Sequence, residues 1–276
     1  MVAAAWTFIL FHSAIFPSMP MIMHSGTRMV SIDYAGVEAR ACAWASCDPY
    51  LIDSYWTGYD IHKYWSKRVL RFEPDNIRKF SCGTCDPKNP DDFKKYRNIS
   101  KNRLVFPWMF GSSVRSVQHD MKIKEETAWT LNREYWGHFG RVREWQREMA
   151  EFYEEHGYVE TLFGFRRGGV LSWNQLINMP IQGTAGELVL RAGNRLRRYG
   201  YQYSLNVHDD LSFMLEVANR RAERQIAEIC EIMVEVKWKW INTPLDVEVE
   251  WGDNWADLET YKVFSSRDFG HVREVM

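Results

Sequence analysis

Apolar and polar residues follow two rhythms along this chain, and each predicts a different element. A period of two marks half-buried strands; a recurrence at three and four residues marks helices with one buried face. Residues 29–33 (MVSID) predict a short buried strand ending on a carboxylate, and the small apolar run at 37–45 predicts a packed helix. Helical spacing returns at 60–69, 94–110, 125–136 and 141–156. The last of these carries a stripe of Val142, Trp145, Met149, Phe152 and Tyr153, with Gly157 placed to cap it. Residues 73–93, rich in Pro, Gly, Asn and Asp, predict a loop.

The second half of the chain alternates more clearly. Residues 158–162 are β-like and lead into a turn at Phe163 and Gly164. Thr184 and Glu187 fit a capping box, predicting a helix from there to about residue 199. Residues 203–207 and 211–215 alternate around His208, Asp209 and Asp210, which predicts a hairpin with charge at its tip. A long amphipathic helix is predicted over 220–240, on Ile226, Ile229, Met233 and Trp240. Leu245, Val247, Val249 and Trp251 predict a last strand. Strands at both ends with helices between them give an α+β fold: a sheet with packed helices, interrupted by a helical insertion.

Composition narrows this little. The 276 residues are 46% hydrophobic and 26% charged, which suits a sizeable core. A net charge of −1 argues against a simple basic DNA-coating protein, but the cations are uneven. Lys94, Lys95, Arg97, Lys101 and Arg103 form one cluster, and Arg191, Arg195, Arg197 and Arg198 another. Five irregularly spaced cysteines suggest a reducing, intracellular setting. Cys82 and Cys85 form a single CxxC with no second pair to complete a zinc site. The apolar run at 3–16 lacks the basic start of a signal peptide and is short for a membrane span, so no membrane partner is expected. Met19, Met21, Met23 and Met29 are alternative starts.

Acids at a strand end (Asp33) and at a hairpin tip (Asp209, Asp210) have a plain reading as turn residues. Their surroundings change it. Asp33-Tyr-Ala-Gly-Val-Glu38-Ala-Arg40 resembles motif A of the family A DNA polymerases, the DNA polymerase I class. Val207-His208-Asp209-Asp210 resembles their motif C, and Asn178-Met-Pro-Ile-Gln182-Gly-Thr-Ala another of their runs. Asp60-Ile-His62, Gly157 to Gly164 and Gly252-Asp-Asn-Trp255 also match, in family order, over roughly residues 28 to 257.

The resemblance implies template-directed transfer of dNTPs to a primer 3′-hydroxyl on primer-template DNA. Asp33, Asp209 and the carbonyl of Tyr34 would hold two Mg²⁺ ions, with Mn²⁺ as the alternative metal; Asp210 would be a further catalytic acid. Glu38 would crowd a ribose 2′-hydroxyl. His62, Arg97 and Lys101 would meet the triphosphate, and Phe106 and Phe110 the nascent base pair. Asn178 and Gln182 would touch the minor groove, and His208 the primer end. Residues 28–50 and 158–260 would form the antiparallel palm, 51–157 the fingers, 1–27 a leader and 261–276 a tail. Only 32 residues precede Asp33, too few for a thumb or exonuclease, so the chain is expected to be a split-gene subunit, a truncated gene or a partial sequence. In the first case a separate chain would supply thumb and exonuclease, as in a phage-like enzyme in the cytoplasm.

Three departures stand out. Asp210 replaces a Glu, Phe110 replaces a Tyr, and one extra residue separates Lys101 from Phe106. In a regular helix those two would lie about 500° apart, on different faces. A π-bulge near Arg103 to Pro107 would realign them. A single-subunit RNA polymerase and a non-catalytic nucleic-acid-binding remnant are the competing readings. Glu38 with the Gln182 run argues against the first, and intact Asp33 and Asp209 against the second.

Overall fold

The computed structural model describes residues 26–80, 85–216 and 220–270. The apolar run at 3–16, Cys82 and the end of the expected tail lie outside these. The described residues divide into two compact units: 26–35, 189–216, 220–236 and 245–270 in one, and 36–188 and 237–244 in the other.

The first unit is built on a five-stranded antiparallel sheet in the order β4-β5-β1-β6-β7. Its strands are β1 (Thr27–Tyr34), β4 (Leu205–Val207), β5 (Asp210–Glu216), β6 (Asp246–Gly252) and β7 (Glu259–Ser265). The α+β expectation therefore holds. In β1 the pleat sends Val30, Ile32 and Tyr34 to one face, and Met29, Ser31 and Asp33 to the other. Val30 and Ile32 lie opposite Phe213 and Leu211 of β5, so the first face is apolar. Ile32 and Tyr34 lie opposite Val249 and Val247 of β6. The Tyr34 phenol donates to the Met233 carbonyl at 2.6 Å, which ties the face to the end of a helix at Arg220–Met233. That helix was expected to reach Trp240. It stops seven residues earlier, where Val234 and Val236 bring β-branched side chains that pack poorly in a helix. Trp240 instead joins the second unit, against Trp44, Phe163 and Trp238. Nor is β6 the last strand: β7 pairs along its outer edge, with an irregularity at Val249/Glu250.

The second unit is helical. Its elements are α1 (Val37–Ser46), α2 (Pro49–Thr57), α3 (Ile61–Phe72), α4 (Pro90–Ser100), α5 (Phe106–Met109), α6 (Val114–Met121), α7 (Glu125–His138) and α8 (Gly140–His156). A small hairpin follows, β2 (Tyr158–Glu160) with β3 (Arg166–Gly168), and then the long α9 (Trp173–Arg198), whose last turns count with the first unit. The Arg220–Met233 helix is α10.

Two expectations fail here. The stretch 73–93 is not all loop: Pro74–Lys79 is a 3-10 helix, and α4 starts at Pro90 with Asn89 as its cap. Pro at the first helical position loses no bond, because that N–H has no partner in any helix. The helix expected to open at Thr184 begins at Trp173. The reciprocal cap belongs to Ser172 and Gln175: the Ser172 hydroxyl accepts from the Gln175 N–H, and the Gln175 side chain accepts from the Ser172 N–H. Thr184 lies within the helix, donating to the Pro180 carbonyl at 2.6 Å and accepting from the Leu162 N–H at 3.0 Å. Pro180 inside α9 is the local signal for a boundary that tertiary packing overrides.

Candidate active site

Asp33, Asp209 and Asp210 meet at one end of the sheet. Asp33 lies opposite Asp210 across β1 and β5, and the Tyr34 N–H donates to the Asp209 carbonyl at 3.2 Å. His208 and Asp209 form a two-residue loop between β4 and β5, as expected for the charged tip. His208 has φ +59°, a left-handed value uncommon for a residue with a side chain. Its Nδ1 lies 2.9 Å from Asp209 Oδ1.

The electrostatics separate the two aspartates. Burial pushes the Asp33 carboxyl up to about 8, and the charges of Asp209, Asp210 and Glu248 and a hydrogen bond with Asp209 add to the rise. Burial also works against ionised Asp209. The hydrogen bond and charge of His208, with the proton of Asp33, outweigh it and hold Asp209 below the usual carboxylate range. Each carboxylate thus opposes ionisation of the other, and Asp33 is the harder of the two to ionise.

Among the described residues, neither Asp33 nor Asp209 has an ion pair with a lysine or arginine. Two crowded acidic side chains without such a partner suit a hard divalent cation, which takes oxygen ligands. Among the described residues, no three His, Cys, Asp or Glu side chains form a ready cage. A pair of carboxylates completed by phosphate oxygens and water is the usual arrangement for Mg²⁺, so the donor set fits. The other CxxC member, Cys85, is buried and forms no disulfide among the described residues.

Asp210 behaves differently. It is buried, and both its oxygens are taken: Ser31 donates to Oδ2, and Ser212 to Oδ1 at 2.5 Å. Burial raises its carboxyl above the usual range, although both serines oppose the rise. Sequence reasoning missed Ser31 and Ser212. Each lies two residues from an aspartate on its strand, and therefore on the same face.

The other candidate residues belong to the helical unit. The expected irregular turn is present: Lys101–Val105 is a π-helix, closed by a bond from the Phe106 N–H to the Lys101 carbonyl. It brings the Lys101 ammonium over the Phe106 ring, 5.1 Å from its centre. Phe106 also meets His62 edge-on at 5.3 Å and Phe110 at 5.4 Å. Phe106 and Phe110 are only half-buried, unlike core residues such as Trp108. Arg97 Nε donates to Asp60 at 2.7 Å, and Asp60 caps α3. Burial, with the charges of Arg97 and Lys101, drives His62 down to about 3, so its ring stays neutral. Its Nδ1 is buried with no hydrogen-bond partner among the described residues, as is Asn178 Oδ1. Asn178 and Gln182 lie one turn apart on α9. Glu38 is in the first turn of α1, beyond Gly36, whose φ is +60°. Arg40, the other charged residue of that motif, is structural: it is buried, donates to the Pro244 carbonyl at 2.7 Å and covers the Tyr55 ring.

The family model for DNA polymerase family A matches residues 19–257. The chain belongs to DNA polymerase family A. It is 30% identical over 253 residues to the thermostable DNA polymerase I of Thermus thermophilus, covering 86% of this chain and 28% of that protein. It is 28% identical to DNA polymerase I of Chloroflexus aurantiacus, covering 86% and 25%. This family A chain thus spans about a quarter of the length of these relatives. A solved structure, the POL domain of Pol1 from M. smegmatis in complex with DNA primer-template and dNTP, shares the fold. Its TM-score is 0.66 at 23% identity, over 85% of this chain and 41% of the other. No helix among the described residues is long and apolar enough to cross a membrane.

Proposed function

We propose that this chain catalyses template-directed DNA synthesis, adding dNTPs to a primer 3′-hydroxyl. One observation carries the proposal: Asp33 and Asp209, far apart in sequence, meet at one end of the sheet, where Asp33 pairs with Asp210 and the Tyr34 N–H bonds the Asp209 carbonyl. When bound, two Mg²⁺ ions (or Mn²⁺) supply the charge that lowers the pKa of the attacking hydroxyl and stabilises the leaving pyrophosphate. Asp33 and Asp209, with the Tyr34 carbonyl, would hold them. Asp210 acts from behind, as the anchor of the His208–Asp209 turn.

In the helical unit, Arg97 and Lys101 neutralise the triphosphate, and neutral His62 offers a hydrogen-bonding nitrogen. Phe106 and Phe110 present half-exposed rings to the nascent base pair. Glu38 excludes a 2′-hydroxyl. Asn178 and Gln182 meet the minor groove, and His208 the primer end. Residues 28–50 and 158–260 serve as palm and 51–157 as fingers, working in a cytoplasm. The partners are primer-template DNA and polypeptide that adds duplex contacts, a thumb and an exonuclease among them. The family match and the primer-template and dNTP in the fold neighbour support this assignment.

The test is extension of a labelled primer with Mg²⁺ by the chain, with dNTPs and with rNTPs. Extension with dNTPs, absent without metal, is the expected result. A preference for rNTPs, or DNA binding without extension at any metal concentration, would exclude the proposal.

A further inference from the structure

A groove of about 430 Å³ lies between α3 and the start of α4. Lys63, Lys67, Leu70 and Arg71 line it from one stripe of α3, and Pro87, Lys88, Pro90 and Phe93 from the other side. None of the lining residues is acidic. Lys63, Lys67, Arg71 and Lys88 are exposed, and among the described residues none makes an ion pair. The nearby acids are engaged by backbone: Asp86 accepts from the Lys88 N–H, and Asp92 from the Asp86 N–H. Asp91 sits in the first turn of α4, the favourable helix end for an acid.

The direction of the groove gives it meaning. Arg97, near the end of α4, bonds Asp60 at the start of α3, whereas Phe93, at the start of α4, lines the groove with Leu70 and Arg71. The two helices therefore run antiparallel. Phe93 and Arg97 lie one turn apart on one side of α4, and Lys101, the first residue of the π-helix that follows, continues the four-residue spacing. A cationic track thus leads from Lys88 and Arg71 past Lys67 and Lys63 to Arg97 and Lys101.

We propose that this groove is a capture site for the incoming nucleoside triphosphate, which it hands on to Arg97 and Lys101. The inference rests on the polymerase function proposed above and extends its nucleotide site outward. The volume suits one small ligand of this class. Exposed lysines attract phosphates as point charges and leave them free to move on. The half-buried Phe93 and the two prolines give the base an apolar surface. Among the described residues the groove's own four cations are unpaired, and only at its inner end does Asp60 offset Arg97. A cleft lined by one sign of charge raises the encounter rate by about 10- to 1,000-fold, and salt weakens it.

The experiment is rapid mixing of a fluorescent dNTP analogue with the full chain on primer-template. The wild type is compared with the combined variant Lys63→Gln, Lys67→Gln, Arg71→Gln, Lys88→Gln. At low salt the variant is expected to associate about tenfold more slowly, with kcat unchanged, and the gap is expected to close as salt rises. A charge-keeping variant, Lys63→Arg with Lys67→Arg, should associate as fast as the wild type. Equal association rates in the neutralised chain would overturn the capture site. So would unchanged nucleotide association with weaker binding of a single-stranded template overhang, which would assign the groove to nucleic acid. Absence of primer extension would instead sink the polymerase function, and the association rates would still be measurable.

Discussion

Ser31 and Asp210 sit diagonally across β1 and β5, joined by a hydrogen bond from the serine hydroxyl to the buried carboxylate. With Ser212 on the other oxygen, this acid is fully engaged within the protein. Ser31→Ala and Ser212→Ala are each expected to cost about 1–3 kcal/mol by leaving a buried acceptor short of a donor. Both should weaken metal affinity by letting the His208–Asp209 turn drift. Urea unfolding with and without Mg²⁺ measures the two effects; variants as stable and as metal-responsive as the wild type would show that the serines do not position the turn.

His62 gives a pH dependence with a defined sign. Its folded pKa of about 3 lies below the ordinary value of 6.5, so the unfolded chain binds the proton more readily. Its contribution to stability is therefore complete above about pH 6.5 and is lost as pH falls towards 3, by up to about 5 kcal/mol. His62→Gln should flatten that part of the stability curve. Parallel acid-unfolding curves for the two proteins would contradict this.

Glu38 governs the choice of sugar in the proposed function. Glu38→Ala is expected to raise rNTP incorporation by about tenfold or more, an effect of about 1.4 kcal/mol on discrimination. The dNTP/rNTP ratio of kcat/KM measures it. An active variant with unaltered discrimination would remove that role.

The π-helix at Lys101–Val105 absorbs one residue. Deleting exposed Asn102 should restore a regular helix with Lys101 and Phe106 still on one side. The shortened chain is expected to melt within a few degrees of the wild type, a change on the order of 1 kcal/mol. Circular dichroism reads this, and collapse of the fold would show that the bulge is required by its surroundings.

Local signals carried much of this structure and failed at identifiable places. The strand at 29–33 was legible as a short buried run, and that at 211–215 by its alternation. The π-helix was legible because the resemblance exposed one extra residue between Lys101 and Phe106, and Pro107 disturbs a helix. The start of α9 was not, because Pro180 argues for a break that packing prevents. β7 was hidden because its edge position leaves most of its residues exposed and without alternation. The aspartates were visible as motifs, but the serines that hold Asp210 become visible only once the strand register is known.

Single-turnover incorporation of one dNTP, with Mg²⁺ titrated against the wild type, Asp33→Asn and Asp209→Asn, bears most directly on the role of the paired aspartates. Each variant is expected to lose incorporation by about a thousandfold or more, which corresponds to about 4 kcal/mol of transition-state stabilisation. Each should still bind primer-template like the wild type. Incorporation by either variant at the wild-type rate and metal concentration would contradict a metal-holding role for the pair.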